Sequence, residues 1–106
     1  MKIPKEFVLK GKLWSVRYIW GLRDEGVKCD GLCLLHDREI LLERGLAKED
    51  KPEVFLHEFI HAVLHECHIS GLDGVAGEFV EEVICDSLSS VLVDSFTMRW
   101  KRRRRV

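Results

Sequence analysis

Apolar and polar residues alternate through the opening stretch of the chain. Phe7-Val8-Leu9 and Leu13-Trp14-Ser15-Val16-Arg17-Tyr18-Ile19-Trp20 flank Gly11-Lys12, which predicts a β-hairpin with a Gly-Lys turn. A period of two puts Trp14, Val16, Tyr18 and Trp20 on one face. Gly21 to Gly31 is polar and reads as a loop. Apolar density returns from Leu32 to Leu42 and predicts one or two further strands, with Ile40-Leu41-Leu42 the clearest; Glu43-Arg44-Gly45 then turns the chain.

The period changes after Asp50. Val54, Phe55, Leu56, Phe59, Ile60, Ala62, Val63 and Leu64 cover most of the circumference of a helix, as expected of a core element. Asp50-Lys51-Pro52-Glu53 resembles its start. Asp50 is the expected N-cap, Glu53 would complete a capping box, and Pro52 sits in the first turn, where no N–H is needed. Ser70-Gly71-Leu72-Asp73-Gly74 breaks this helix from a second, expected from about Ala76 to Met98. At about 100° per residue, Glu82, Asp86, Ser89 and Val93 share one stripe of that helix. Val80, Val83, Ile84, Leu88, Val91, Leu92 and Phe96 cover much of the rest. The pattern predicts an α+β fold: a small, mostly antiparallel sheet packed on two long helices.

Composition narrows the class. With 106 residues, 46% of them apolar and 33% charged, the chain has the makings of one soluble globular domain over residues 1–100, followed by a basic tail at 101–106. Its formal charge is −1, but Lys101-Arg102-Arg103-Arg104-Arg105 holds five of the 17 basic residues. The remaining 12 face 18 acidic ones, a balance of −6. Such a block is either a solvated end or an electrostatic hook for weak contact with nucleic acid or an acidic partner, without sequence-specific readout. No apolar run has the length of a membrane span, and Met1 to Glu6 has no apolar signal core; a cytosolic protein is expected. Cys29, Cys33, Cys67 and Cys85 do not follow a zinc-finger spacing and are expected to be reduced thiols.

The chemistry concentrates in His57-Glu58-Phe59-Ile60-His61, an H-E-x-x-H run. Residues four apart on a helix point the same way, so His57 and His61 can offer two imidazoles to one zinc at about 2 Å each. Glu58 falls beside that ion, where it can take a proton from a bound water. A catalytic site of this type needs a third protein ligand and an open position. Glu82 is the candidate, because of the adjacent pair Glu81-Glu82 only Glu82 shares a face with Asp86. The bland alternatives are two half-buried histidines on an amphipathic helix and a solvated acidic face on the next.

H-E-x-x-H followed about twenty residues later by Glu82-x-x-x-Asp86 resembles the gluzincin metallopeptidases. A closer likeness is to the very small zincin domains found in phages and prophages; the match is good from Val54 to Phe96 and only general before it. The resemblance implies one Zn2+ per chain held by His57, His61 and Glu82, with Asp86 orienting His57 and Glu58 as general base in peptide-bond hydrolysis. It also implies a peptide or protein substrate laid as an added strand along the sheet edge beside the active-site helix. Here the expected edge runs from Leu34 to Leu42, with His36 and Arg38 facing the cleft, and His65 and His68 are further candidates to line it. Leu64 and Cys67 stand where the longer metzincin pattern has Gly and His. The chain departs from the larger gluzincins in lacking their large C-terminal domain and an obvious counterpart of the downstream Tyr or His that stabilises the oxyanion; its one tyrosine, Tyr18, precedes the motif. A second reading therefore keeps the fold but not the turnover, as a metal-binding regulatory or interaction module.

Overall fold

Two residues with positive φ, Lys10 (49°) and Gly11 (78°), join the first two strands, β1 (Glu6–Leu9) and β2 (Lys12–Ile19). A type I′ turn needs positive φ at both central positions and so favours Gly at one of them. The register, Leu9 opposite Lys12, sets the turn one residue earlier than the expected Gly11-Lys12. The same device recurs at Glu25 (51°) and Gly26 (80°), where β3 (Arg23–Asp24) and β4 (Val27–Lys28) form a short hairpin. This corrects the expected loop over Gly21 to Gly31. Both tiny strands are exposed, so no apolar alternation announces them.

The computed structural model describes residues 1–67 and 80–93. The break at Ser70–Gly74, His68, the expected ends of the second helix and the basic run at 101–105 lie outside them. The fold is α+β. A four-stranded sheet has the order β1-β2-β6-β5, with β5 at Gly31–Leu34 and β6 at Glu39–Glu43. β1 and β5 pair antiparallel with their neighbours, while β2 and β6 run parallel, Val16 opposite Ile40 and Tyr18 opposite Leu42. After β2 the chain passes through the β3–β4 hairpin, lays β5 at the far edge and returns through the middle as β6. The sheet edges are thus β1 and β5, and β5 is the one against α1; the expected edge from Leu34 to Leu42 is corrected, because most of it is the β5–β6 turn and an interior strand. Arg38, expected to face the cleft, instead pairs from that turn with Glu66 at the end of the first helix (Nε–Oε1 3.0 Å).

That helix, α1 (Lys51–Glu66), packs across β5 and β6. Trp14, Val16, Ile40 and Leu42 from the sheet meet Phe55, Leu56 and Ala62 from α1 in one core, and Phe7 links the layers by stacking on Trp14 and meeting Phe55 and Phe59 edge-on or tilted. Each such large apolar side chain contributes about 1.5–3 kcal/mol by burial, which makes this cluster the anchor for α1. Trp20, expected on the same face, lies beyond the end of β2 and is 72% exposed. Pro52 sits in the first turn of α1 as expected, but Asp50 makes no side-chain cap and the capping box does not form. Asp50 is already helical in backbone, and the Ala47 carbonyl accepts from the Asp50 and Lys51 N–H groups, so the helix is entered through a preceding turn. Glu53 accepts instead from the hydroxyl of Ser90 on a second helix, α2, which covers residues 80–93. No described helix is long and apolar enough to cross a membrane.

Candidate metal centre

Burying Phe55, Leu56, Ile60 and Ala62 leaves one stripe of α1 turned toward α2, and His57 and His61 occupy it one turn apart, with ring centroids 5.0 Å from each other. The facing stripe of α2 is built on Cys85 and Ser89, 0% and 2% exposed. Their small side chains let the helices approach, and the Ser89 hydroxyl donates to the Asp86 carbonyl. Longer acidic side chains flank this pair and reach the imidazoles.

The Glu82 carboxylate meets both rings: Oε2 is 3.2 Å from His57 Nε2 and Oε1 is 2.7 Å from His61 Nε2. Asp86 Oδ1 lies 2.9 Å from His57 Nδ1. Glu81 Oε2 forms a hydrogen bond with His61 Nδ1. Each imidazole therefore has a carboxylate oxygen at both nitrogens, yet a neutral imidazole has only one N–H to give. If Asp86 and Glu81 accept from the Nδ1–H groups, both Nε2 lone pairs point at Glu82, lone pair against lone pair. Either the rings carry second protons or a cation sits among the two Nε2 atoms and Glu82. The structure groups His57, Glu82 and Asp86, and also His57, His61 and Cys85, closely enough to hold a metal ion.

Glu58 stands apart from these pairs. It is 8% exposed and 4.0 Å from His57 Nε2, and it makes no hydrogen bond among the described residues. Burial pushes its carboxyl up to about 7; His57 pulls the other way and Glu82 adds to the rise. Its seat is provided by Gly31, the first residue of β5. A Cβ there would lie 3.0 Å from Glu58 Cγ, 3.1 Å from Glu58 Oε2 and 2.8 Å from Val54 Cγ1. Burial also raises the Cys33 and Cys85 thiols to about 12, so both are protonated at neutral pH in the absence of a cation.

Two cavities meet at Gly31, His57 and Glu58. One, of about 340 Å³, runs along β5 past Leu32, Cys33 and Leu35 toward His61, Glu82 and Asp24. The other, of about 460 Å³, opens between α1 and α2 and is walled by Asp30, Glu53, Val54, Asp86, Ser89 and Ser90.

The structure thus brings together His57, Glu58, His61, Glu82 and Asp86. It places His36 exposed in the β5–β6 turn and His65 half-buried in the last turn of α1, and neither lines these cavities. Sequence reasoning missed Glu81, which angular position alone sets off the site stripe, and it missed Gly31, whose close approach to Glu58 depends on the sheet order. No family model, curated protein or solved structure matches the chain.

Proposed function

We propose that this chain is a zinc-dependent metallopeptidase, with His57, His61 and Glu82 as the zinc ligands and Glu58 as general base. The observation that carries the reading is the Glu82 carboxylate facing both Nε2 atoms while Asp86 and Glu81 engage the two Nδ1 atoms. Two imidazoles and one carboxylate are a zinc donor set with room for a further ligand. Bound there, zinc supplies a Lewis acid and a water acidic enough to ionise near neutral pH.

The chain's own groups do the rest. Asp86 and Glu81 accept the Nδ1–H protons, which fixes both tautomers and leaves the Nε2 lone pairs for the metal. Glu58 Oε2, buried at the junction of the two cavities, takes the proton of the attacking water and returns it to the amine nitrogen as the C–N bond breaks. β5 pairs on one side only, with β6, so its free backbone edge can hold an extended substrate beside Glu58. Elemental analysis should find about one zinc per chain. Cleavage of unstructured peptides should occur, stop on chelation and return on adding zinc. Folded protein that refuses micromolar zinc would overturn the assignment.

One observation favours the alternative, a metal-binding interaction module with little or no turnover. Tyr18, the chain's one tyrosine, lies under Arg44 and Lys51 and lines neither cavity, so it offers no oxyanion donor there. Zinc binding without cleavage of any peptide would select that reading.

A further inference from the structure

We infer that the cleft selects peptides bearing a lysine or arginine side chain next to the bond presented to Glu58, and that the cavity bounded by Asp30, Glu53 and Val54 seats that side chain. The position of the bond rests on the peptidase reading; the binding of the side chain does not.

Among the described residues, the two cavities are lined by six carboxylates, those of Asp24, Asp30, Glu53, Glu58, Glu82 and Asp86, and by no lysine or arginine. Glu82 and Asp86 are engaged by the histidines, which leaves Asp24, Asp30 and Glu53 without a part in the metal group, and of these Asp30 and Glu53 line the larger cavity. Independently of this rim, Glu58 is nine-tenths buried, has no hydrogen-bond partner among the described residues, and opens into both cavities. A buried acceptor with no hydrogen-bond partner, and only His57 Nε2 at 4.0 Å, at the floor of an acidic cleft favours a ligand that brings donors and positive charge.

Among the described residues, the cations engaged elsewhere do not fill that role. Arg17 is paired with Glu39, Arg38 with Glu66, and Arg44 and Lys51 lie over Tyr18. Asp30 also borders a separate cavity of about 390 Å³ with Arg23 and Lys28, but neither comes within ion-pair distance of it. The shape of the larger cavity matches a long basic side chain. Val54 offers an apolar wall for the methylene stem, while Asp30 and Glu53, both exposed at the mouth, offer carboxylates to the charged head. Ser90 donates to Glu53 and holds that carboxylate on the α2 side of the opening.

The test is binding, read separately from turnover. Full-length protein loaded with zinc is titrated with three fluorescent peptides that differ only in carrying two lysines, two glutamines or two glutamates, and anisotropy is followed in the cold. Mass spectrometry of the same samples reports cleavage. The lysine peptide should bind about tenfold more tightly than the glutamine peptide, and the glutamate peptide more weakly still, with the preference shrinking as salt is raised. In Asp30→Asn/Glu53→Gln, with zinc content unchanged, the lysine advantage should fall to about twofold or less. Equal affinity for the three peptides, no measurable binding of any, or a lysine preference that survives the double variant would each overturn the inference. Selective binding without cleavage would leave it standing and count against the proposed hydrolysis alone.

Discussion

Adjacent glutamates on α2 address opposite ends of one imidazole, Glu82 the Nε2 of His61 and Glu81 its Nδ1. Their loss should therefore differ in degree. Glu82→Gln removes the carboxylate common to both rings and should weaken zinc binding the most. Glu81→Gln and Asp86→Asn should each cost about 10–100-fold, the usual effect of freeing a ligating histidine from its partner. Competition with a chromophoric chelator ranks the three, and equal losses for Glu81 and Glu82 would put the metal elsewhere. Glu58→Gln should keep zinc and fold while losing cleavage, since Glu58 touches neither Nδ1 atom and sits 4.0 Å from His57 Nε2. At this scale the sequence was largely legible, because the helical period alone aligns His57 with His61 and Glu82 with Asp86. Glu81 was not: angular position describes where a side chain leaves the helix, and a glutamate beside a close helix contact can still swing its carboxylate inward.

Among the elements, β6 was clear from Ile40-Leu41-Leu42, all buried, and the β1–β2 hairpin from alternation about a glycine turn. The parallel pairing of β2 with β6 left no local trace, because it joins residues 24 apart, Ser15 and Glu39, across a crossover. For that reason the edge strand was misplaced, and the role of Gly31 stayed hidden until β5 was seen against α1. Gly31→Ala should displace Glu58 or Val54, since their atoms occupy the space a methyl group would need. Cleavage should drop at least about tenfold with zinc content intact, roughly the loss expected when a catalytic group shifts by a fraction of an ångström to one ångström. Retained activity would mean that Glu58 tolerates another seat.

A second element-level expectation concerns Glu43 at the end of β6. Its carboxylate accepts from the N–H groups of Gly45 and Leu22, which hold it below the usual glutamate range. A lowered folded value means that this contribution to stability is complete above the ordinary glutamate value and fades as pH falls through the folded one. Thermal melts taken down an acid series should show the parent losing stability more steeply than Glu43→Gln. Parallel curves would assign the acid sensitivity to other carboxylates.

For the molecule as a whole, the consequence lies in how α2 is attached. Among its described residues only Cys85 and Ser89 are fully buried, with Leu92 and Val93 packed partly buried against the core, while its outward face leaves Val80, Val83, Leu88 and Val91 exposed. It also presses negative charge against α1: Glu81, Glu82 and Asp86 within six residues. Mutual repulsion among these groups opposes docking until a cation joins them to the histidines. Chelation should therefore lower the melting temperature, and saturating zinc should add about 2.7 kcal/mol when free zinc is 100 times the dissociation constant. Calorimetry with and without chelator measures the difference; identical melts would show α2 to be held by packing alone. A protease added to the chelated protein should cut first around α2, leaving the sheet and α1 for later. A domain cemented in this way decays when starved of its ion, so its abundance in a cell would follow zinc supply even at a constant rate of synthesis.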